Sequence, residues 1–270
     1  LIYSVKELKT LALLMSSESF VNPELYRILT HGVTQDLPHY QKLVSKYGGP
    51  VLDLGAGLGR ISDALLTDPV KIVLLEHSPA MCDELLHWIE HQSPEQQENL
   101  WLLQGDMTDL NVFNTDGFIH GNKERLPTRF GTIILGLRTL HLLSEDERCQ
   151  LFVMVREHIH EDGVLVLHHS TVSKIPEQPT WKLTVEHPVQ NGMLEIEECF
   201  FHHPASGQYH LRHRIHQSNS TGQHIASWRV AHNLYSIDIV DVQQQLAEAG
   251  FASAEQHPLY GTESLIIAKV

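Results

Sequence analysis

A glycine-rich turn and three carboxylates carry most of the chemistry that this sequence can offer. Val51-Leu52-Asp53-Leu54-Gly55-Ala56-Gly57-Leu58-Gly59-Arg60 joins a short apolar run to a helical segment. Glycines at 55, 57 and 59 let the backbone turn sharply and let a ligand reach contact distance of the main chain. The helix that follows opens with free N–H groups. A dinucleotide fingerprint, GxGxxG, needs its last glycine at position 60, where this chain has Arg60, so the spacing is GxGxG instead. Two more acids follow apolar runs: Glu76 closes Lys71–Glu76, and Asp106 stands in Gly105-Asp106-Met107 after Leu100–Gln104. Plainer roles stay open: Asp53 as a bridge between loops, Asp106 as a helix cap, Arg60 as an exposed first-turn arginine, and Met81 as a core residue of an amphipathic helix.

Histidines are the second resource. His141 follows the apolar run Gly131–Gly136. A neutral imidazole near its reference pKa of about 6.5 can take a substrate proton at neutral pH. The alternative is a histidine that hydrogen-bonds backbone and fixes the loop. His168 and His169 end another apolar run, and one of them is expected to face a cleft; His169 is the second catalytic candidate. Of 20 histidines, seven lie between positions 202 and 232. Strand alternation puts His210 and His216 on one face with Arg212 and Arg214, and His213 on the other. Those arginines would repel a cation, so no metal site is expected. With Arg229 they form a mildly basic wall suited to an acidic substrate group.

The elements that must position these residues follow from patterning. Asn22-Pro23 and Asp36-Leu37-Pro38 read as helix starts, a capping side chain before a proline. Strands are expected at Val51–Leu54, Lys71–Glu76, Leu100–Gln104, Gly131–Gly136 and Val164–His168. Between them lie helices at Gly59–Leu66, from the Ser78-Pro79 cap to about Gln92, and from the Ser144–Glu147 capping box to near Gly163. Apolar strands alternating with helices predict a parallel sheet covered on both faces. After Ser170 the period becomes two, over Trp181–Val185, Met193–Phe201, Tyr209–Gln217 and Ile225–Asn233, which predicts an antiparallel meander. A helix capped by Ser236 and closed by Gly250 follows, then a final strand pair. The organisation is a helical cap over 1–48, a core over 49–170, an antiparallel insertion over 171–235 expected above the active site, and 236–270 completing the core.

A chain of 270 residues that is 42% hydrophobic suits one α/β domain with an embedded subdomain. Its net charge of −14 disfavours a nucleic-acid partner. Three scattered cysteines, without a CxxC pair, fit a reducing cytoplasm. Leu1–Ser17 superficially resembles a signal peptide but is read as an amphipathic helix. No apolar run approaches the roughly 20 residues that span a bilayer, so no membrane partner is expected. The oligomeric state stays open, a homodimer included.

The glycine turn with acids at successive strand ends resembles motif I and its companions in class I, Rossmann-like S-adenosylmethionine-dependent methyltransferases. The resemblance covers about Tyr26 to Val270. It extends to the small-molecule type through Tyr26, the Asp36-Leu37-Pro38-His39-Tyr40 pattern, Leu137–Leu143 and the antiparallel insertion. It implies a seven-stranded Rossmann-like sheet with helices on both faces, S-adenosyl-L-methionine as cofactor and S-adenosyl-L-homocysteine as product. It also implies methyl transfer to an O or N atom of a small-molecule acceptor. By this resemblance Asp53, Gly55, Ala56, Gly57, Gly59 and Arg60 form the cofactor loop. Glu76 takes the ribose hydroxyls, Asp106 the adenine amino group, and His77 and Met81 wall the adenine. Gly105, Met107, Gly136 and Leu137 complete the cofactor site. Tyr26, Tyr40, Arg138, Arg212 and Arg214 are the expected acceptor-binding residues. Other readings are a protein or RNA methyltransferase and a non-catalytic cofactor-binding module.

Overall fold

The computed structural model describes residues 23–30, 32–66, 69–109, 113, 117–171, 180–189, 192–202 and 208–270. The helix expected in Leu1–Ser17 lies outside these residues. The chain divides into two compact units, Val33–Thr171 with Ile237–Val270, and Leu1–Gly32 with Val172–Ser236.

The larger unit is built on one mixed sheet. Its strands are β1 (Val51–Leu54), β2 (Ile72–Glu76), β3 (Leu100–Gln104), β4 (Phe118–His120), β5 (Phe130–Leu135), β6 (Ile159–Ser170), β11 (Ser253–Pro258) and β12 (Glu263–Lys269). The spatial order is β11-β12-β6-β5-β1-β2-β3-β4. β1 pairs in parallel with β2 and β5, and β12 runs antiparallel between β6 and β11. The sheet thus has eight strands rather than seven. The extra one, β4, is three residues long, half-buried and antiparallel to β3.

Every residue of β1 and β5 is buried, so both faces of the sheet are covered. On one face α2 (Leu37–Tyr47), α3 (Arg60–Leu65) and α4 (Pro79–Glu90) pack Tyr40, Val44, Ile61, Leu65, Leu85 and Ile89 against Val51, Leu74, Ile134 and Val166. The other face is left to α6 (Glu145–His158) and α7 (Ile239–Glu248), which pack on each other and bury Leu151, Phe152, Val155, Val242 and Leu246. The short α5 (Pro94–Gln97) leads into β3. Fully burying one such aliphatic side chain contributes about 1.5–3 kcal/mol.

Caps set where the helices begin. Ser78 accepts the Met81 N–H, and Ser144 and Glu147 close a reciprocal box that satisfies two helix-end donors. Three boundaries differ from expectation. Asp36 makes no capping bond, because its carboxylate is used elsewhere. The cap of α7 is Asp238, not Ser236. α6 ends at His158 and passes straight into β6, whose pairing with β5 begins at Phe130–Ile159.

The smaller unit is a four-stranded antiparallel sheet in the order β10-β9-β8-β7. Its strands are β7 (Lys182–Val189), β8 (Gly192–His202), β9 (Gln208–Asn219) and β10 (His224–Tyr235). Along β9 Tyr209, Leu211, His213, Ile215 and Gln217 are buried while their even-numbered neighbours are half-exposed, the period-two pattern of a one-sided sheet. Ile28 of α1 (Pro23–Leu29) joins Val189, Leu194, Ile196, Ile215 and Val230 in the core of this unit. α1 belongs with the meander, α2 with the main sheet, and the division falls after Gly32.

Candidate active site

The glycine turn hangs from the end of β2. Gly55 and Ala56 donate their N–H groups to the Leu75 carbonyl at 2.8 and 3.1 Å. Gly55, Gly57 and Gly59 have φ of 69°, 59° and 77°, the left-handed region that side chains resist. At Gly55 there is a second reason for glycine. A Cβ there would lie 2.9 Å from Thr139 Cγ2 and 3.3 Å from Met107 Cε. The loops after β1, β3 and β5 thus converge on Gly55.

Glu76 ends β2 with both carboxylate oxygens anchored. Oε2 accepts the Gly57 N–H at 2.8 Å and Oε1 accepts the Ser78 N–H at 2.9 Å. The His77 backbone N–H bonds the carboxylate as well; with about four acceptor sites on its two oxygens, the carboxylate is not saturated by these three donors. Burial pushes the Glu76 carboxyl upward, opposed by the Ser78 and Gly57 hydrogen bonds. Gly105 N–H bonds the Glu76 carbonyl at 3.0 Å, tying the end of β3 to the same point. Asp106 is exposed, and its Oδ1 accepts both the N–H and the hydroxyl of Thr108. His77 is exposed, while Met81 is enclosed in α4 with 1% exposure.

Asp53 lies under the turn, 2% exposed, and accepts the Ser62 hydroxyl at 2.8 Å. It bridges β1 to α3. Burial raises its carboxyl to about 6, although the Ser62 bond opposes this. Arg60 is not an exposed first-turn residue. Its guanidinium forms a two-pronged pair with Asp36 at 2.7 and 2.8 Å and donates to the Val33 carbonyl at 3.0 Å. That arrangement engages Arg60 within the protein. Tyr40 is 1% exposed, and its hydroxyl has no hydrogen-bond partner. Burial raises its pKa well above the phenol range, with the Asp36 charge adding to it and Arg60 opposing.

Past β5 the chain turns through Leu137 and Arg138 at φ of 25° and 62°, two successive non-glycine residues in a costly region. Side chains hold it there. The Arg138 N–H donates to His168 Nδ1 at 3.3 Å, and Arg138 Nη2 pairs with Glu263 Oε1 at 2.8 Å. Ser170 donates its hydroxyl to the same Glu263 oxygen at 2.9 Å. Arg138 thus braces the loop against β12. At Gly136 an added Cβ would meet Ile61 Cδ1, which would have to move aside.

His141 is fully buried, and its Nε2 accepts the Ser170 backbone N–H at 3.1 Å. In this arrangement that nitrogen is engaged by the main chain, the loop-fixing alternative that its sequence position also allows. His169, with its ring centroid 5.4 Å from that of His141, bonds the Ile237 carbonyl through Nε2, and its Nδ1 is buried without a partner. Neighbouring His168 is held down to about 4 by burial, which the Glu263 charge opposes.

Tyr26, Arg212 and Arg214 belong to the smaller unit, Tyr26 on α1 and both arginines on β9. Sequence reasoning missed Asp36 as the partner of Arg60, Ser62, Thr139, Ser170 and Glu263. Most are joined to their partners over long separations, 125 residues for Arg138 and Glu263, and no local pattern signals them. Among the described residues no cluster of histidine, cysteine and carboxylate side chains is placed to hold a metal, and no helix is long and apolar enough to cross a membrane.

No protein-family model matches the chain, and no curated protein matches it by sequence. Solved structures match it closely in shape. The CcbJ methyltransferase from Streptomyces caelestis shares 16% identity over 88% of this chain and 90% of its own, with a TM-score of 0.68. CalS10 from Micromonospora echinaspora, an amino pentose methyltransferase solved with S-adenosylmethionine bound, shares 16% identity over 99% and 97%, with a TM-score of 0.66. The sugar N-methyltransferase KedS8 from a Streptoalloteichus species shares 16% identity over 94% and 93%, with a TM-score of 0.67. The fold is therefore that of the class I S-adenosylmethionine-dependent methyltransferases, with a separate antiparallel sheet inserted before the last helix.

Proposed function

We propose that this chain is an S-adenosyl-L-methionine-dependent methyltransferase that moves a methyl group to an O or N atom of a small molecule and releases S-adenosyl-L-homocysteine. One observation carries the reading. Glu76 stands at the end of β2 with each carboxylate oxygen fixed by a backbone N–H and with acceptor capacity left on the carboxylate. That is a ready bidentate acceptor for vicinal hydroxyls. The site around it fits the cofactor: a glycine turn with no room for a Cβ at Gly55, Asp106 exposed beyond β3, and Met107 against the turn.

In this reading Glu76 holds the ribose, Asp106 the adenine amino group, and Gly55 to Gly59 the backbone cradle beneath. Bound there, the cofactor supplies a methyl carbon already made electrophilic by its sulfonium. The protein's own work is alignment of the acceptor and exclusion of water. Arg138, Glu263, His168 and His141 keep the loop after β5 in its strained shape. Asp53 and Ser62 keep the glycine turn in register with α3.

The kinship in fold with an amino pentose and a sugar N-methyltransferase supports a small acceptor. The test is incubation of the purified protein with methyl-labelled S-adenosylmethionine and a metabolite extract. The expected result is label in a low-molecular-mass product. Label in protein or RNA would contradict the acceptor class, and tight cofactor binding without any transfer would contradict catalysis.

A further inference from the structure

The smaller unit holds a cationic cavity. Arg212, Arg214 and Arg229 line a space of about 190 Å³, with Trp181, His213 and the β10 residues Val230 and Ala231 completing it. The volume exceeds several times the roughly 30 Å³ that one liquid water occupies. Arg229 of β10 lies directly opposite Arg214 of β9, and Arg212 sits two positions further along the same face.

This arrangement is costly as it stands. Like charges directly opposite each other on neighbouring strands are destabilising. Among the described residues no ion pair within 4.0 Å relieves any of the three guanidinium groups. Glu197, on β8 opposite Arg214, pairs instead with His216 at 3.4 Å. Glu198 is directed to His213, at 3.5 Å. Cys199, opposite Arg212, is buried and contributes no charge of its own to balance the arginines. The arginines rest on rings: Arg214 Cζ is 3.7 Å from the centre of Trp181, and Arg212 Cζ is 5.3 Å from that of Phe201. Stacking fixes the plane of a guanidinium and leaves its edge N–H groups unspent. The Arg214 Nε is one such donor, buried without a hydrogen-bond partner. Three cations without an ion pair among the described residues are collected at one place in a chain of net charge −14 with 33 acidic residues.

We propose that this cavity binds an oxyanion, a carboxylate or a phosphoryl group carried by a small molecule. The guanidinium edge presents parallel donors that match two oxygens of either group. A bound oxyanion removes the repulsion between Arg214 and Arg229 and gives the Arg214 Nε–H its missing acceptor. That this molecule is the methyl acceptor rests on the methyl-transfer reading; the binding itself does not.

The experiment follows the arginine Nε–H and Trp181 indole signals by NMR in low-salt, amine-buffered solution. Inorganic phosphate is added in one arm and acetate in the other. Saturable shifts with at least one probe are expected, and the tighter probe identifies the group. Arg229→Gln, at an exposed position that leaves packing intact, and Arg214→Gln should each weaken binding about tenfold or more, the scale of a lost charge-assisted hydrogen bond. Linear, non-saturating shifts with both probes would overturn the site, as would unchanged affinity in a folded Arg229→Gln protein. Titration of the same samples with S-adenosylhomocysteine reports on the cofactor site separately, so the two readings fail independently.

Discussion

Gly57 donates its backbone N–H to Glu76 Oε2 at 2.8 Å, joining the turn after β1 to the acid at the end of β2. A backbone donor in left-handed conformation and a carboxylate 19 residues away thus define a single feature. The bond fixes the carboxylate plane before any ligand arrives, which lowers the ordering cost of binding.

Asp53 sets one pH dependence of folding. Burial raises its carboxyl to about 6 in the folded protein, against about 3.9 when unfolded. The folded state therefore holds this proton more tightly. The stabilisation is full below the unfolded value and is lost as pH rises through the folded one. Asp53→Asn removes this dependence while keeping an acceptor for Ser62. Between about pH 4 and about pH 6 the variant should gain on wild type by about 2 kcal/mol as pH rises. Urea unfolding across that interval checks it; a constant difference would show that Asp53 titrates normally.

His168 acts in the opposite direction. Burial holds it down to about 4, against about 6.5 unfolded. Its stabilisation is full above the unfolded value and is lost as pH falls through the folded one. His168→Asn should therefore gain on wild type as pH falls through the same interval. The two groups offset each other in wild type, and each variant uncovers the slope of the other. Parallel unfolding curves for wild type and His168→Asn at every pH would contradict the assignment.

His141 is expected to behave as a bracket. His141→Ala leaves the Ser170 N–H buried without its acceptor, a loss of about 1–3 kcal/mol before any cavity cost. Denaturant unfolding should show at least that loss, and the pH–rate profile with an identified acceptor should keep its shape. A general base would behave otherwise, with a rate loss of about 10²–10⁴-fold that recedes at high pH.

Much of the frame was legible in the sequence because its signals are local. Three glycines, two serine caps and runs of buried aliphatics each act within a few residues. β4 was missed because Phe118–His120 is short and half-buried, with no apolar run to betray it. The end of α6 was misplaced at Gly163 because the helix converts to strand at Ile159 with no glycine or proline between. At the site the residue types were readable and their partners were not. Asp36 before a proline has the pattern of a cap, yet the half-buried guanidinium of Arg60 is the stronger claim on its buried charge. His141 and Arg138 have the types of a base and an acceptor ligand. Only the folded chain shows Ser170 and Glu263 engaging them.

The cofactor site is tested most directly by calorimetry of S-adenosylhomocysteine binding to wild type and to Glu76→Ala. Both carboxylate oxygens of Glu76 are positioned to accept from one diol, and truncation removes both acceptors at once. The account predicts saturable one-to-one binding by wild type, no binding of NAD, and an affinity loss of about 1.5–3 kcal/mol in the variant. Equal affinity in the two proteins, with the variant still folded, would contradict it.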